Sequence, residues 1–194
     1  VQTCALPIYG LTPRFGGAHF FMWRREFLIG LNHPFVEDLK MEDIDWVEYN
    51  LFNAKSVGYS SQETYRYMFT ETSIVHMPSI TTVADYVLQC QRRLEGAVQY
   101  KTKLPTYANK ITDYCVMRIA SLLRYRNLTK FSNADYIVMY NRIGDETRQK
   151  LLTYDYPIFT TICLKHKYIT LIFLWSTAWI SRLARVIVHA IRNN

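Results

Sequence analysis

Three acidic residues, Glu42, Asp43 and Asp45, stand immediately before an amphipathic stretch of the chain. Their position predicts the first turn of a helix, where free backbone amides and the helix dipole favour ionised carboxylates. A carboxylate that stays charged in this way can accept a proton from a nearby hydroxyl group at neutral pH, which is the task of a general base. The same residues also suit an ordinary acidic helix start, which is common and has no chemical role.

A glycine pair, Gly16 and Gly17, interrupts an apolar run that extends from Phe15 to Trp23. We interpret this run as a buried strand that the chain enters through the glycines. A bulky ligand can approach the backbone at such a pair because no side chain stands in the way. The pair is therefore a candidate for lining a ligand pocket.

These pieces occur in a recognisable order: the glycine pair, an arginine-rich helix start at Arg24-Arg25, a turn at Gly30, and the acidic helix start at Glu42-Asp43. As an ordered set they resemble the C-terminal half of the nucleotide-sugar-binding domain of family 2 glycosyltransferases, and they are similar to the matching segment of β-1,4-type galactosyltransferases. The resemblance covers roughly residues 12–80. It implies an α/β fold, the C-terminal half of a GT-A (Rossmann-like) domain over residues 9–80, followed by a mainly helical extension over residues 81–194.

The resemblance also implies roles for individual residues. Asp43 would be the general base of an inverting sugar transfer, with Glu42 and Asp45 positioning the acceptor or the base. Gly16 and Gly17 would line the sugar pocket. The implied substrates are a nucleotide-sugar donor and a glycan or glycolipid acceptor.

Two histidines are further candidates, and each also suits a purely structural role. His19, beside the glycine pair, could hydrogen-bond to a sugar. His76 ends a predicted strand at Thr72–Met77, where some of these transferases place a ligand of Mg²⁺ or Mn²⁺. The full-length enzyme is thus expected to need a divalent metal. In these families an Asp-x-Asp motif upstream of the glycine pair binds the metal and the nucleotide diphosphate, and no Asp precedes Gly16 in this chain.

The segment Gln89-Cys90-Gln91-Arg92-Arg93 is similar to the Gln-x-x-Arg-Trp signature of processive family 2 synthases. Because Arg93 replaces the tryptophan that stacks on the acceptor sugar there, the segment argues against a cellulose- or chitin-type enzyme. Arg92 or Arg93 could still neutralise a diphosphate leaving group, since cations directed at developing phosphate charge are a recurrent catalytic device. A solvated basic helix face explains the two arginines equally well.

Hydrophobic spacing and helix-ending residues indicate the elements that position these side chains. After residue 80 the chain is predicted to be mostly helical. The predicted helices are Arg24–Gly30, Asp43–Val57, Thr82 to about Lys103, Ile111 to about Arg126, and two short helices between Ser132 and Leu152 that meet at Gly144-Asp145.

Composition restricts the class of protein. With 194 residues, 49% apolar and 20% charged, the chain is neither disordered nor a disulfide-rich mini-protein. Residues 1–8 look like a translated sequencing adapter, since CAG ACG TGT GCT CTT CCG ATC encodes Gln2–Ile8. We therefore expect the native sequence to begin at Tyr9 in an amino-terminally truncated, inactive fragment. The remaining cysteines, Cys90, Cys115 and Cys163, are odd in number and widely spaced, which predicts free thiols.

The net charge of +7 leaves a non-catalytic alternative open, a basic helical protein that binds nucleic acid or a membrane surface. The basic residues are spread along the chain without a nucleic-acid motif, which disfavours nucleic acid. The uncharged run at 168–181 is shorter than the roughly 20 residues of a membrane span. With Arg182, Arg185 and Arg192 beyond it, the end of the chain could lie on an anionic membrane or pack on the domain. We expect a cytoplasmic protein, peripheral on the inner membrane face.

Overall fold

The computed structural model describes residues 17–58, 68, 79–124, 128, 130–172, 174 and 176. Over these residues the protein is mainly helical and contains no β-strand or sheet. The predicted α/β, Rossmann-like fold is therefore wrong for the part of the chain that is described. Gly16 and the predicted strand at Thr72–Met77, with His76, lie outside the described residues.

A single turn of 3-10 helix at Ala18–Phe20 precedes the α-helices. The α-helices with described bounds are α1 (Arg25–Leu31), α2 (Asp43–Asn53), α3 (Ile80–Tyr100), α4 (Pro105–Leu122), α5 (Asn133–Ile143), α6 (Asp145–Leu151) and α7 (Ile158–Lys165). Helical turns follow α7 at residues 167–172.

The central element is α3, a helix of 21 residues that packs against α2, α4, α5 and α6. Ser79 caps its start, since the Ser79 hydroxyl accepts a hydrogen bond from the Thr82 amide at 3.2 Å. The buried face follows Val87, Leu94 and Ala97. Val98 is 68% exposed, because Ala97 takes the inward position on that turn.

The main hydrophobic core lies between α3 and the helices that follow it. Its largest fully buried side chains include Ile111 and Ile119 of α4, Tyr136 of α5 and Leu164 of α7. Pro105 starts α4 at the first helical position, where its missing N–H has no partner to lose. The helix-rich prediction for this part of the chain is confirmed.

Residues 17–58 have a separate, smaller core. Its fully buried members are Trp46, Val47 and Leu51, all on one side of α2. The Trp23 ring packs edge-on against Trp46, with 5.3 Å between ring centroids. Partly buried side chains at Ala18, Phe21, Leu28 and Val57 complete the cluster.

The strand predicted from Phe15 to Trp23 is wrong over its described residues. Phe20 is 57% exposed and Met22 is 88% exposed, whereas Phe21 and Trp23 turn inward. The alternation of a strand is therefore present, and the backbone at Phe21 is extended (φ −123°, ψ 142°). No strand pairs with it within the described ranges, because its inward side chains pack on the helix α2.

Short-range signals located most of the helices, but the helix predicted from Ile111 to about Arg126 is instead α4, which begins six residues earlier at Pro105 and ends at Leu122. The two short helices around Gly144-Asp145 are confirmed as α5 and α6, and Gly144 between them has a positive φ of 77°. The helix predicted over Asp43–Val57 stops earlier, at Asn53. Of the helices within the described ranges, none combines the length and the apolar character needed to cross a membrane.

Candidate functional site

The acidic helix start predicted from sequence is the start of α2. Asp43 is its first residue, and Glu42 precedes it as the N-cap residue without a side-chain cap hydrogen bond. The Asp43 Oδ2 atom accepts a hydrogen bond from the Ala18 backbone amide at 3.1 Å. This half-buried carboxylate therefore ties the 3-10 turn to α2.

Gly17 makes that approach possible. A Cβ atom at position 17 would lie 2.5 Å from Asp43 Oδ2 and 2.6 Å from His19 Cε1. Real Cβ atoms do not come so close to other atoms, so any other residue would displace the carboxylate or the imidazole. The fold thus brings Gly17, His19 and Asp43 together, and all three were predicted from sequence.

Asp45, two residues along α2, contacts a different element. Its Oδ2 atom accepts a hydrogen bond from Arg92 Nε of α3 at 2.6 Å, in an ion pair that is partly buried. Asp45 Oδ1 is buried and has no hydrogen-bond partner among the described residues. A buried acceptor without a partner is unfavourable by about 1–3 kcal/mol, so this oxygen is well disposed to accept from a donor group that enters the site.

Arg93 forms a second, deeper ion pair with Glu48 of α2. Arg93 Nη2 lies 2.7 Å and Arg93 Nε 3.0 Å from Glu48 Oε2, and both side chains are 2% exposed. The Tyr107 hydroxyl donates a third hydrogen bond to the same oxygen at 3.3 Å. Burial raises the pKa of Glu48, and the Arg93 charge opposes that rise.

Neither arginine lies on a solvated basic face, since each is paired with a carboxylate of α2. The sequence reasoning missed Glu48 and Tyr107. A signal for Glu48 was present, because Asp45 and Glu48 are three residues apart and share one face of a helix. Adjacent arginines at Arg92 and Arg93 complement that face, but spacing alone does not tell which helix meets which.

A cleft of about 170 Å³ lies between α2 and α3, above the two ion pairs. His33 and Tyr49 stack in its wall with ring centroids 3.9 Å apart. Burial lowers the pKa of His33, Asp45 counteracts this effect, and Arg92 adds to it. The other lining residues are Asp45, Glu48, Arg92, Arg93, Glu95, Gly96, Gln99 and Tyr100.

The size of the cleft limits its ligand. Pockets for drug-sized molecules have volumes of about 300–1,000 Å³, so this cleft holds a fragment of a ligand and not a whole nucleotide sugar. Its lining combines carboxylates, guanidinium groups and three aromatic rings, those of His33, Tyr49 and Tyr100. Such a surface suits a polar group with several hydroxyls, which can both donate and accept hydrogen bonds.

The described residues offer no ligand set for the divalent metal that the resemblance implies. No group of three or more His, Cys, Asp or Glu side chains within them could hold a metal ion. The candidate ligand His76 lies outside the described residues, so the metal stays a prediction.

The prediction of free thiols is confirmed at Cys90, Cys115 and Cys163, which are all buried. The hydrogen bond with Cys90 and burial raise the pKa of Cys115, and burial raises the pKa of Cys163 to about 12. Because the thiolate is the reactive form, the two thiols with raised pKa values are poor nucleophiles.

The predicted site residues with described side chains thus fall into two groups. Gly17 and His19 lie against Asp43, whereas Asp45 joins Arg92 across the cleft. Comparison of the chain with models of protein families, with curated proteins and with solved structures finds no match in any of the three.

Proposed function

We propose that the chain is part of an inverting glycosyltransferase and that residues 17–58 supply the acceptor side of its site. The observation that carries this proposal is the contact between Asp43 and the Gly17-Ala18 backbone, 25 residues away along the chain. The resemblance assigns Asp43 to the base and Gly17 to the sugar pocket of one site. Their separation in sequence does not by itself bring them into contact.

In this function Asp43 is the general base. Its carboxylate takes the proton of the acceptor hydroxyl while the hydroxyl oxygen attacks the anomeric carbon of the donor sugar. The bond from that carbon to the diphosphate breaks, and the electron pair leaves with the phosphate oxygen. Because Oδ2 already accepts from the Ala18 amide, we assign the proton transfer to Oδ1.

Gly17 and the cleft have supporting roles in the proposal. Gly17 keeps space beside the carboxylate, since a Cβ there would lie 2.5 Å from Asp43 Oδ2. Asp45 Oδ1, which lies at the cleft and not beside Gly17 and Asp43, would accept from a different hydroxyl of the same acceptor, with Arg92 holding the carboxylate in place. The donor diphosphate and its metal are assigned to residues outside those described.

The proposed location is the cytoplasm, at the inner face of the membrane, where a growing glycan or glycolipid is accessible. Charge pairing makes four arginines unsuitable for binding nucleic acid. Four arginines, Arg92, Arg93, Arg142 and Arg148, each lie in an ion pair with a carboxylate. Phosphate binding needs cations that are open to the backbone of a nucleic acid.

The proposal is tested on the full-length enzyme of which the chain would be a part. Release of nucleoside diphosphate from a panel of sugar nucleotides measures transfer. Asp43→Asn keeps an oxygen that accepts from the Ala18 amide but removes the base, so kcat should fall by about 10²–10⁴-fold with donor affinity unchanged.

The matched control is Asp113→Asn, which removes an exposed carboxylate on α4. It should leave kcat unaltered. If Asp43→Asn and Asp113→Asn transfer sugar equally fast, Asp43 is not the base. If the full-length protein transfers no sugar from any nucleotide donor, the proposed function is wrong.

A further inference from the structure

The end of the chain is a long basic stretch without acidic residues. No Asp or Glu follows Asp155, whereas residues 156–194 hold five lysines and arginines. Most of the net charge of +7 is therefore carried by this segment. Two of its basic residues, Lys165 and Lys167, lie among the described residues, at the end of α7 and just beyond it.

The helical turns at 167–172 pack on the core on one side and expose apolar side chains on the other. On the inner face, Thr170 is fully buried and Leu171 packs against the main core. On the outer face, Tyr168 is 74%, Ile169 43% and Ile172 65% exposed. These three residues form what we call the outer stripe. Tyr168 and Ile172 are four residues apart, so they are neighbours on one helix face.

A helix in water normally turns only one apolar face to the core and a polar face to the solvent. An apolar outer face is typical of helices that are covered on both sides or that lie against a membrane. We therefore expect the outer stripe to bind another surface, and the charges beside the stripe restrict the chemistry of that surface.

The cations beside the outer stripe have no acidic partner among the described residues. Lys165 is exposed and takes part in none of the ion pairs there. Lys167 Nζ donates to Asn141 Oδ1 at 3.1 Å and lies 6.0 Å from the Tyr168 ring centroid. The apolar surface is thus flanked by positive charge that no carboxylate neutralises.

We propose that the outer stripe is a docking surface for an anionic lipid bilayer. Tyr168, Ile169 and Ile172 enter the boundary between headgroups and acyl chains, and Lys165 and Lys167 meet the anionic headgroups. Charge complementarity selects this occupant, because the whole of residues 156–194 lacks acidic side chains. The inference extends the membrane location of the proposed function, but it uses none of the residues of the proposed transferase site.

Co-sedimentation of the 194-residue chain with vesicles tests the proposal. Binding is expected to vesicles of phosphatidylcholine mixed with phosphatidylglycerol, and much less to phosphatidylcholine alone. Ile172→Glu and Tyr168→Glu should each weaken binding by about tenfold or more, because each places a charge where an apolar side chain is buried. Lys165→Gln should weaken binding by about fivefold.

The matched control is Met117→Glu, which places the same charge on an exposed apolar residue of α4. It should bind vesicles like the unaltered chain, and circular dichroism verifies that all variants fold. No binding to anionic vesicles overturns the proposal, as does equal weakening by Met117→Glu and Ile172→Glu.

The identity of the anion is settled in the same series. If the chain binds single-stranded RNA at the same salt concentration but does not bind anionic vesicles, its basic residues bind nucleic acid and the proposal is wrong. Vesicle binding needs no sugar transfer, so this result and the Asp43 result can fail independently.

Discussion

The two parts of the described chain are stabilised in different ways. The helical region, residues 79–172, has a continuous apolar core to which α3, α4, α5, α6 and α7 all contribute. The amino-terminal region, residues 17–58, buries only Trp46, Val47 and Leu51 as a fully enclosed apolar cluster. Apolar burial is the main driving force for folding, so the helical region gains much more stability from its core than the amino-terminal region does.

Polar contacts to α3 compensate for the small core of the amino-terminal region. Glu48 and Asp45 pair with Arg93 and Arg92, as described above. Asp85, which is fully buried, accepts a hydrogen bond from the Lys40 amide at 3.3 Å and also pairs with Arg142 of α5. The amino-terminal region is therefore held on the helical region largely by charge, together with the Phe52 ring, which lies 3.8 Å from the Tyr100 ring between centroids.

This difference has an energetic consequence. A buried ion pair adds little net stability compared with apolar groups, because both charges lose their water. Loss of one partner is far more harmful, since it leaves the other charge buried and unpaired. Attachment of the amino-terminal region should therefore depend steeply on single residues, whereas the helical core spreads its stability over many.

The largest effect is expected for Glu48→Gln. This substitution leaves the Arg93 guanidinium buried without a counter-charge, and arginine cannot lose its proton to relieve the cost. The free energy of unfolding should fall by about 3–5 kcal/mol. Urea unfolding followed by tryptophan fluorescence and circular dichroism measures it.

The matched control is Glu95→Gln on the same helix as Arg93. Glu95 pairs with Lys150 at 2.9 Å, but both side chains are half exposed, so this loss should be below about 1 kcal/mol. Arg93→Met should cost less than Glu48→Gln and less still at acidic pH, because burial already raises the pKa of Glu48 and its carboxyl can become neutral. Equal losses for Glu48→Gln and Glu95→Gln would show that charge does not hold the regions together.

The same contrast explains what could be predicted from sequence. Helix positions in the helical region follow from local signals, such as the turn at Gly144 between α5 and α6. The apolar run that ends at Trp23 was assigned to a strand because its alternation is real, but alternation does not reveal whether the partner is a sheet or a helix.

Sequence pattern places some of the candidate residues together but not others, and their roles in a site stay predictions. The order of motifs placed Gly17 and His19 with Asp43, and these residues are in contact. The Arg93–Glu48 pair joins residues 45 positions apart, and nothing local in the sequence states that α2 meets α3. Sequence pattern therefore does not predict which distant polar residues of this molecule pair with each other.

Substitutions at two glycines of the amino-terminal region should change the stability of the protein in opposite directions. Gly17→Ala should destabilise the protein by about 1 kcal/mol, because the new methyl group displaces Asp43 Oδ2 from its hydrogen bond with Ala18. Gly30→Ala should stabilise it by about 0.5–1 kcal/mol, since Gly30 lies inside α1 with no atom within 4 Å of the added carbon.

Thermal unfolding of both variants under one set of conditions measures the difference. Both substitutions add the same methyl group to the same region, so only its surroundings differ. A stabilising effect at position 17 would mean that the Gly17–Asp43 contact does not form in solution.

The smallest effect concerns pH and the cleft where the two regions meet. Burial lowers the pKa of His33 below its ordinary value of 6.5, with Asp45 opposing and Arg92 adding to the shift. The unfolded chain therefore binds this proton more readily than the folded protein, so stability is lost as pH falls through 6.5 and levels off below the folded pKa. His33→Gln removes that component. As pH falls from neutral, the unfolding free energy of this variant should therefore rise relative to that of the unaltered chain.

Arg92→Gln should reduce the same pH dependence, because it takes away a charge that lowers the pKa of His33 and frees Asp45 to raise it. If the pH profiles of His33→Gln and the unaltered chain run parallel, water reaches His33 freely in solution. The charged contacts would then hold the amino-terminal region on α3 less closely than the ion pairs of Arg92 and Arg93 require.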